Sequence, residues 1–383
     1  VYQPYLARAM YNQAKGWGAR GGKWASETEQ KQFDEMNAYF KKATDDLNVV
    51  LEKDKQVLVS YHALLRMMRS SADIKGILQV LQAALAINPN TYHVRRMAMY
   101  SLTPRWGGSF KLMQAIAEEA KQHSAHNPRL NQLEGEVYAE AGNMKALIRK
   151  YNEAHKLYNK ALEFGEGVHV LYDRGYNNYK RKRYSEALVD IERAIELHHE
   201  KAYYYHRRAR ILVKLKNYTR AIDDIKRAIE LDPFDESYVE FKEWIAKKLR
   251  SIGYKQYKNR DATTSITTFN TALKANPNDA TLYYRRARSL IDQNKFEPAI
   301  DDTKKAIALS PDEYDYYRLL DWLLAKQRDW NQIIDYWDQY IARNPDNSRA
   351  YVERGGAYYR KGDMRSAVND AKTAADMGNV EGK

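Results

Sequence analysis

The chain of 383 residues contains no cysteine, which excludes disulfides, thiol nucleophiles and cysteine-bound zinc or iron–sulfur centres together. It is also poor in residues that break helices, with nine prolines and 18 glycines, too few for a disordered linker or a turn-rich all-β fold. No run approaches the ~20 apolar residues that a membrane-spanning helix needs. Catalytic patterns are missing as well: there is no HExxH, no GxSxG elbow and no third ligand close to His123 and His126. Catalytic residues, a metal site and a cofactor are therefore all expected to be absent. Gly16-Trp17-Gly18-Ala19-Arg20-Gly21 spells GxGxxG, but no strand precedes it, and Lys23 is followed by Trp24 where a phosphate loop has serine or threonine. The reading there is a turn into a helix capped near Ser26, with Glu29 completing a capping box.

Hydrophobic residues make up 44% and charged residues 30%, with a net charge of +13. A chain this long exceeds what one hydrophobic core supports, so it is either several domains or a repeat array. The positive field favours anionic partners without choosing among proteins, nucleic acid, glycans and lipid headgroups.

A repeat of 34 residues settles the first question for the carboxy-terminal part. Gly175, Ala209, Gly253, Ala287 and Gly355 recur at the eighth position. Ala187, Ala221, Ser265, Ala299 and Ala367 mark a second small site, and Ala194, Ala228, Ala272, Ala306 and Ala374 a third. Blocks run 168–201, 202–235, 246–279, 280–313, 314–347 and 348–381, with an insertion at 236–245 that predicts a lengthened helix from about Glu236 to Asn259. Small residues let two antiparallel helices approach, Tyr184, Tyr218, Phe296 and Trp330 open each second helix, and Asp232-Pro233, Asn276-Pro277, Ser310-Pro311 and Asn344-Pro345 end it. In the second helices Ala221, Ile225, Ala228 and Ile229 form an inward face, with Asp223, Asp224, Lys226 and Arg227 off it; Asp190 and Glu192 also read as surface acids, and His198-His199 as a solvated turn. The fifth block carries Asp321 and Tyr340 at small sites, which predicts a wider crossing.

This pattern resembles the tetratricopeptide-repeat family over 168–381. The resemblance implies an all-α fold, a right-handed α-solenoid of helix-turn-helix repeats. Upstream, 58–91 fits one degenerate repeat with Ala84 in its later small site, and 128–167 another, with Gly135, Tyr138 and Gly142 matching its first helix and a second helix from Lys145 to Phe164 about two turns too long. Residues 1–127 are expected to form an irregular helical amino-terminal domain. Its Ala19-Arg20-Gly21-Gly22 and Pro104-Arg105-Trp106-Gly107-Gly108-Ser109 runs resemble a bacterial domain family of unassigned activity, over roughly 5–125.

In the repeat family the first helices line a concave face with their second, fifth, sixth, ninth and twelfth positions. Carried over, that gives a partner-binding groove of Tyr172, Tyr176, Tyr179, Tyr203, His206, Arg207, Arg210, Arg250, Tyr254, Tyr257, Tyr284, Arg285, Arg288, Arg318 and Trp322. Such a lining is basic and aromatic, suited to forked hydrogen bonds with carboxylate or phosphate. The lysine and asparagines with which some members clamp a carboxy-terminal carboxylate are absent, since Tyr172 and Tyr176 hold those places.

The expected function is a non-enzymatic scaffold or adaptor for a protein or acidic peptide, in bacterial envelope or secretion machinery. Direct binding of a polyanion, RNA or an acidic glycan, is the alternative. The first residue is Val1, and the expected setting is an exported, periplasmic chain. The last repeat lacks a covering helix, which predicts that the chain continues or self-associates there.

Overall fold

The computed structural model describes residues 1–21 and 27–378, and its regular structure within them is helical, without strands. It divides into two compact units, Val1–His199 and Glu200–Lys383, a boundary inside the repeat array and away from residue 127.

In the first unit α1 (Gln3–Arg20) pairs with α2 (Gln30–Lys53), followed by α3 (Leu58–Met68) and α4 (Ile74–Ile87), then α5 (Tyr92–Ser101) and α6 (Phe110–Lys121). Two further pairs close it, α7 (Leu133–Leu147) with α8 (Tyr151–Leu162) and α9 (Val168–Lys180) with α10 (Tyr184–Leu197). The second unit has five pairs: α11 (Ala202–Lys214) and α12 (Tyr218–Leu231), α13 (Glu236–Lys258) and α14 (Ala262–Ala275), α15 (Ala280–Ile291) and α16 (Phe296–Leu309), α17 (Tyr314–Gln327) and α18 (Trp330–Arg343), α19 (Ser348–Lys361) and α20 (Met364–Asp376). The lengthened helix at the insertion is α13, with 23 residues.

The turn inside each pair from α7–α8 to α19–α20 is one recurring device. Arg149, Lys182, Lys216, Arg260, Asn294, Arg328 and Gly362 all take positive φ. In each case the residue after it donates its N–H to a carbonyl five residues back, as Asn217 does to Leu212 and Asp329 to Leu324. This is a helix ending in a left-handed cap. The following helix begins on a side-chain cap in α12 (Asn217), α14 (Asp261), α18 (Asp329) and α20 (Asp363).

That turn corrects the 128–167 repeat. Arg149 breaks the chain between α7 and α8, so the second helix is the 12-residue Tyr151–Leu162 and is not lengthened. Counted back from that turn, the glycine at the eighth position is Gly142, where an added Cβ would lie 2.8 Å from the Tyr158 ring, just as one at Gly253 would lie 2.7 Å from Phe269. The register therefore starts at 135, seven residues later than expected.

Two acids read as surface residues are buried. Asp190 and Asp224 are 3% and 6% exposed, because each faces an arginine sixteen residues earlier across its helix pair. Arg174 Nη2 lies 2.5 Å from Asp190, and Arg208 forks onto Asp224 at 2.7 and 2.8 Å. Arg286–Asp302 and Arg354–Asp370 repeat the pair. In the fifth block Trp337 Nε1 donates to Asp321 at 2.8 Å instead, and the backbones of α17 and α18 approach less closely than in the other pairs of the second unit, as the large residues there predict.

Of the amino-terminal motifs, Ala19 and Arg20 end α1 with Gly21 as its cap, while Gly22 lies outside the described residues. Arg69 lies against the rings of Trp17, Tyr100 and Trp106, at 4.3, 4.9 and 4.9 Å. Pro104–Trp106 form a single turn; Gly107 has φ +87°, and a Cβ on Gly108 would collide with the Leu102 carbonyl oxygen at 1.9 Å. Ser109 then caps α6 by accepting from Leu112 N–H. The cap of α2 is Glu29, reciprocated by Gln32, one turn beyond the expected start; Ser26 lies outside the described residues.

Candidate functional site

The first helices of the second unit bring one group of the expected groove residues together. Tyr254 and Tyr257 on α13 lie one turn apart with nearly parallel rings, 6.4 Å between centroids. From α15, Arg285 rests on Tyr254 at 4.4 Å, and Arg288 on Tyr257 and on its own helix's Tyr284 at 5.2 and 5.8 Å. Tyr284 packs in turn on Tyr316 of α17, 4.9 Å away. Arg250 is held by Asp279 at 2.8 Å. Arg285 and Arg288 make no ion pair among the described residues, and burial together with Arg250 holds the Arg285 guanidinium below its usual pKa. The result is a rigid set of cations on aromatic faces, with its acids already committed to neighbours.

The remaining groove residues are placed differently. His206 is wedged edge-on between Tyr238 and Phe241 of α13, at 5.0 and 5.2 Å, and burial with Arg210 and Arg207 lowers it to about 4. It is a neutral packing group. Tyr203 is 43% exposed and sits edge-on to Tyr204; Arg207 is half-buried and Arg210 exposed. Arg318 pairs with Glu353 at 3.4 Å. Trp322, 45% exposed, carries Lys326 at 4.5 Å and sits beside Phe296. In the first unit Tyr179 packs on Tyr184 inside its own repeat, Tyr172 is half-buried, and Tyr176 lines a cavity.

That cavity, about 680 Å³, lies among α3, α5, α7, α8 and α9. Two ion-pair clusters brace its walls. Arg96 Nε donates to Glu136 at 2.6 Å, and His169 Nε2 lies 2.8 Å from the same carboxylate, near enough for an ion pair but off the line of a good hydrogen bond. Burial pushes Glu136 up, but His169 and Arg96 outweigh it and bring the carboxyl down to about 2. Arg105 forks onto Glu140 at 2.7 and 2.8 Å, and Tyr158 donates to Asn143 at 2.7 Å. Burial, then neighbouring arginines, lowers both His62 and His93. Asp173 is raised to about 6, chiefly by desolvation. Of these residues sequence reasoning named only Tyr176 for the groove. Asp173 and His169 occupy the sixth and second positions of their repeat, so the same inward rule points to them; Glu136, Glu140 and Asn143 follow once Gly142 sets the register.

Residues 202–235, 252–314 and 322–379 match models of the tetratricopeptide repeat. The array carries tetratricopeptide repeats. The Hsp70-Hsp90 organizing protein of Triticum aestivum is 28% identical over 209 residues, covering 54% of this chain. The chain spans about a third, 34%, of that relative's length. Among solved structures, MamA protein is 21% identical, covering 46% of this chain and 91% of its own, with a TM-score of 0.32. The TPR2AB domain of yeast Sti1, in a complex with pHSP90, is 19% identical, covering 59% and 97%, with a TM-score of 0.28.

Proposed function

We propose that the chain is a non-enzymatic scaffold that binds an acidic segment of a partner protein across α13, α15 and α17. The observation that carries this reading is the pair Arg285 and Arg288, fixed on Tyr254, Tyr257 and Tyr284 without a carboxylate of their own. Arginine and tyrosine held in this way are efficient anchors, since little side-chain entropy is left to lose. The detected repeats support the reading, as does a relative named for organizing Hsp70 and Hsp90.

The test is capture of partners from soluble and envelope fractions of the source cell at low and high salt, comparing wild type with Arg285→Glu, Arg288→Glu. A protein retained at high salt by wild type and held at least about thirtyfold more weakly by the variant is the expected result. Recovery of nucleic acid or glycan alone, stripped by salt, overturns it in favour of polyanion binding.

A further inference from the structure

The first-unit cavity contains one acid, Asp173, that makes no ion pair among the described residues, although His169 and Arg105 act on it at longer range and Asn143 as a hydrogen-bond donor. The bases facing Asp173 are committed elsewhere, Arg105 to Glu140 and His169 to Glu136. Asn143 of α7 and Tyr158 of α8 are its polar neighbours, already bonded to one another. His62 and His93, also in the lining, are held toward their neutral forms by burial. The cavity thus presents a desolvated carboxyl, tyrosine rings and the apolar side chains of Met97, Met99 and Met113.

We propose that this cavity binds an organic cation, a primary ammonium or a guanidinium group, with the Asp173 carboxylate as its counter-charge and Tyr176 at its side. Arriving positive charge compensates the carboxylate's lost hydration, and removal from water strengthens the pair. Tyr176 offers a π face to the cavity, which a ligand cation would share with or take over from Lys180 Nζ, 5.2 Å from the ring. An anion fits less well, because two of the guanidinium groups in the wall, Arg96 and Arg105, are each occupied by a carboxylate. Arg149 and Lys180 are exposed, where solvent and salt screen their repulsion. The same chemistry is offered by a lysine or arginine side chain of a peptide and by a free amine. The proposal is independent of the α13–α17 reading.

Calorimetric titration of the full chain with Nα-acetyl-lysine amide, butylamine, Nα-acetyl-norleucine amide and Nα-acetyl-glutamate amide tests it. Saturable binding of the lysine derivative, with the norleucine and glutamate derivatives silent, is expected. Butylamine binding as well identifies a free amine as sufficient; its silence identifies a peptide side chain as the source. Asp173→Asn, which preserves shape, should weaken binding at least about tenfold. Wild-type affinity should also fall as pH drops through about 6, and a folded Asp173→Asn should lose that dependence. Neutral or acidic derivatives binding as well as the cation, or no saturable binding of either amine, overturns the proposal.

Discussion

His206 provides a test of unit-two packing that needs no partner. Its ring fills the contact between α11 and α13, between Tyr238 and Phe241, with Arg207 and Arg210 facing it on its own helix and Asp235 opposing them from the α12–α13 turn. The imidazole falls from 6.5 to about 4, desolvation being the largest cause. A base whose folded pKa is depressed takes up its proton first in the unfolded chain. Its contribution to stability is therefore complete above about 6.5 and lost as pH falls toward 4. The full shift corresponds to roughly 3 kcal/mol, of which about 2 kcal/mol is gone by pH 5. In His206→Phe the packing is retained and the titration removed. Hydrogen exchange of peptides from α11 and α13 at pH 8 and pH 5, corrected for intrinsic exchange, should show wild type losing about 2 kcal/mol more protection than the variant. Equal losses, or an NMR titration placing His206 near 6.5, would refute the assignment of the ring to a dry contact.

The Arg208–Asp224 pair is nearly enclosed, with side chains 18% and 8% exposed. Asp224→Ala should cost about 3 kcal/mol in local exchange of α11 and α12, and the double variant Arg208→Met, Asp224→Leu should recover most of it, because the cost lies in the stranded guanidinium. A double variant as unstable as the single one would show that the pair itself supplies the stability. Arg328 sits in the left-handed region at φ +58°, where Gly362 serves in the last pair. Arg328→Gly should raise the urea midpoint of unfolding by the equivalent of about 0.5–1 kcal/mol, and a lowered midpoint would mean that the arginine side chain itself holds the turn.

The helix pairs were legible because the period fixes both their crossings and their turns. Gly175, Gly253 and Ala287 can stand only where a neighbouring helix leaves no room, and the insertion before the third full repeat appears as extra length in α13. Register failed where two glycines competed. Gly135 and Gly142 are seven residues apart on one helix face and both press on α8, at the Ala161 carbonyl oxygen and the Tyr158 ring. Only the left-handed turn at Arg149, seven residues after Gly142 as Lys182 is after Gly175, shows which of them holds the eighth position. The error also hid the cavity, since Glu136, Glu140 and Asn143 line it only in the shifted frame. The buried acids were missed for a different reason. An aspartate beside other charged residues reads as solvated by composition, and the partner that buries it lies on the preceding helix. The recurring spacing from Arg174, Arg208, Arg286 and Arg354 to an aspartate sixteen residues on was the available signal.

That spacing also bears on what the positive charge means. A net charge of +13 does not make every arginine a ligand-binding group, and neighbouring arginines on one helix divide by the direction they face. On α15, Arg286 turns into the helix pair and is neutralised by Asp302, at 2.5 and 2.7 Å. Arg285 and Arg288 lie on tyrosine rings, where a π face attracts the guanidinium without removing its charge. Charge reversal at Arg286 would strand Asp302 and act on folding, whereas reversal at Arg285 and Arg288 leaves no buried acid behind and would act on the proposed binding of an acidic segment. The arginines that hold the repeats together and those proposed to meet a partner are thus separable by mutation, although they stand one and two positions apart in the chain.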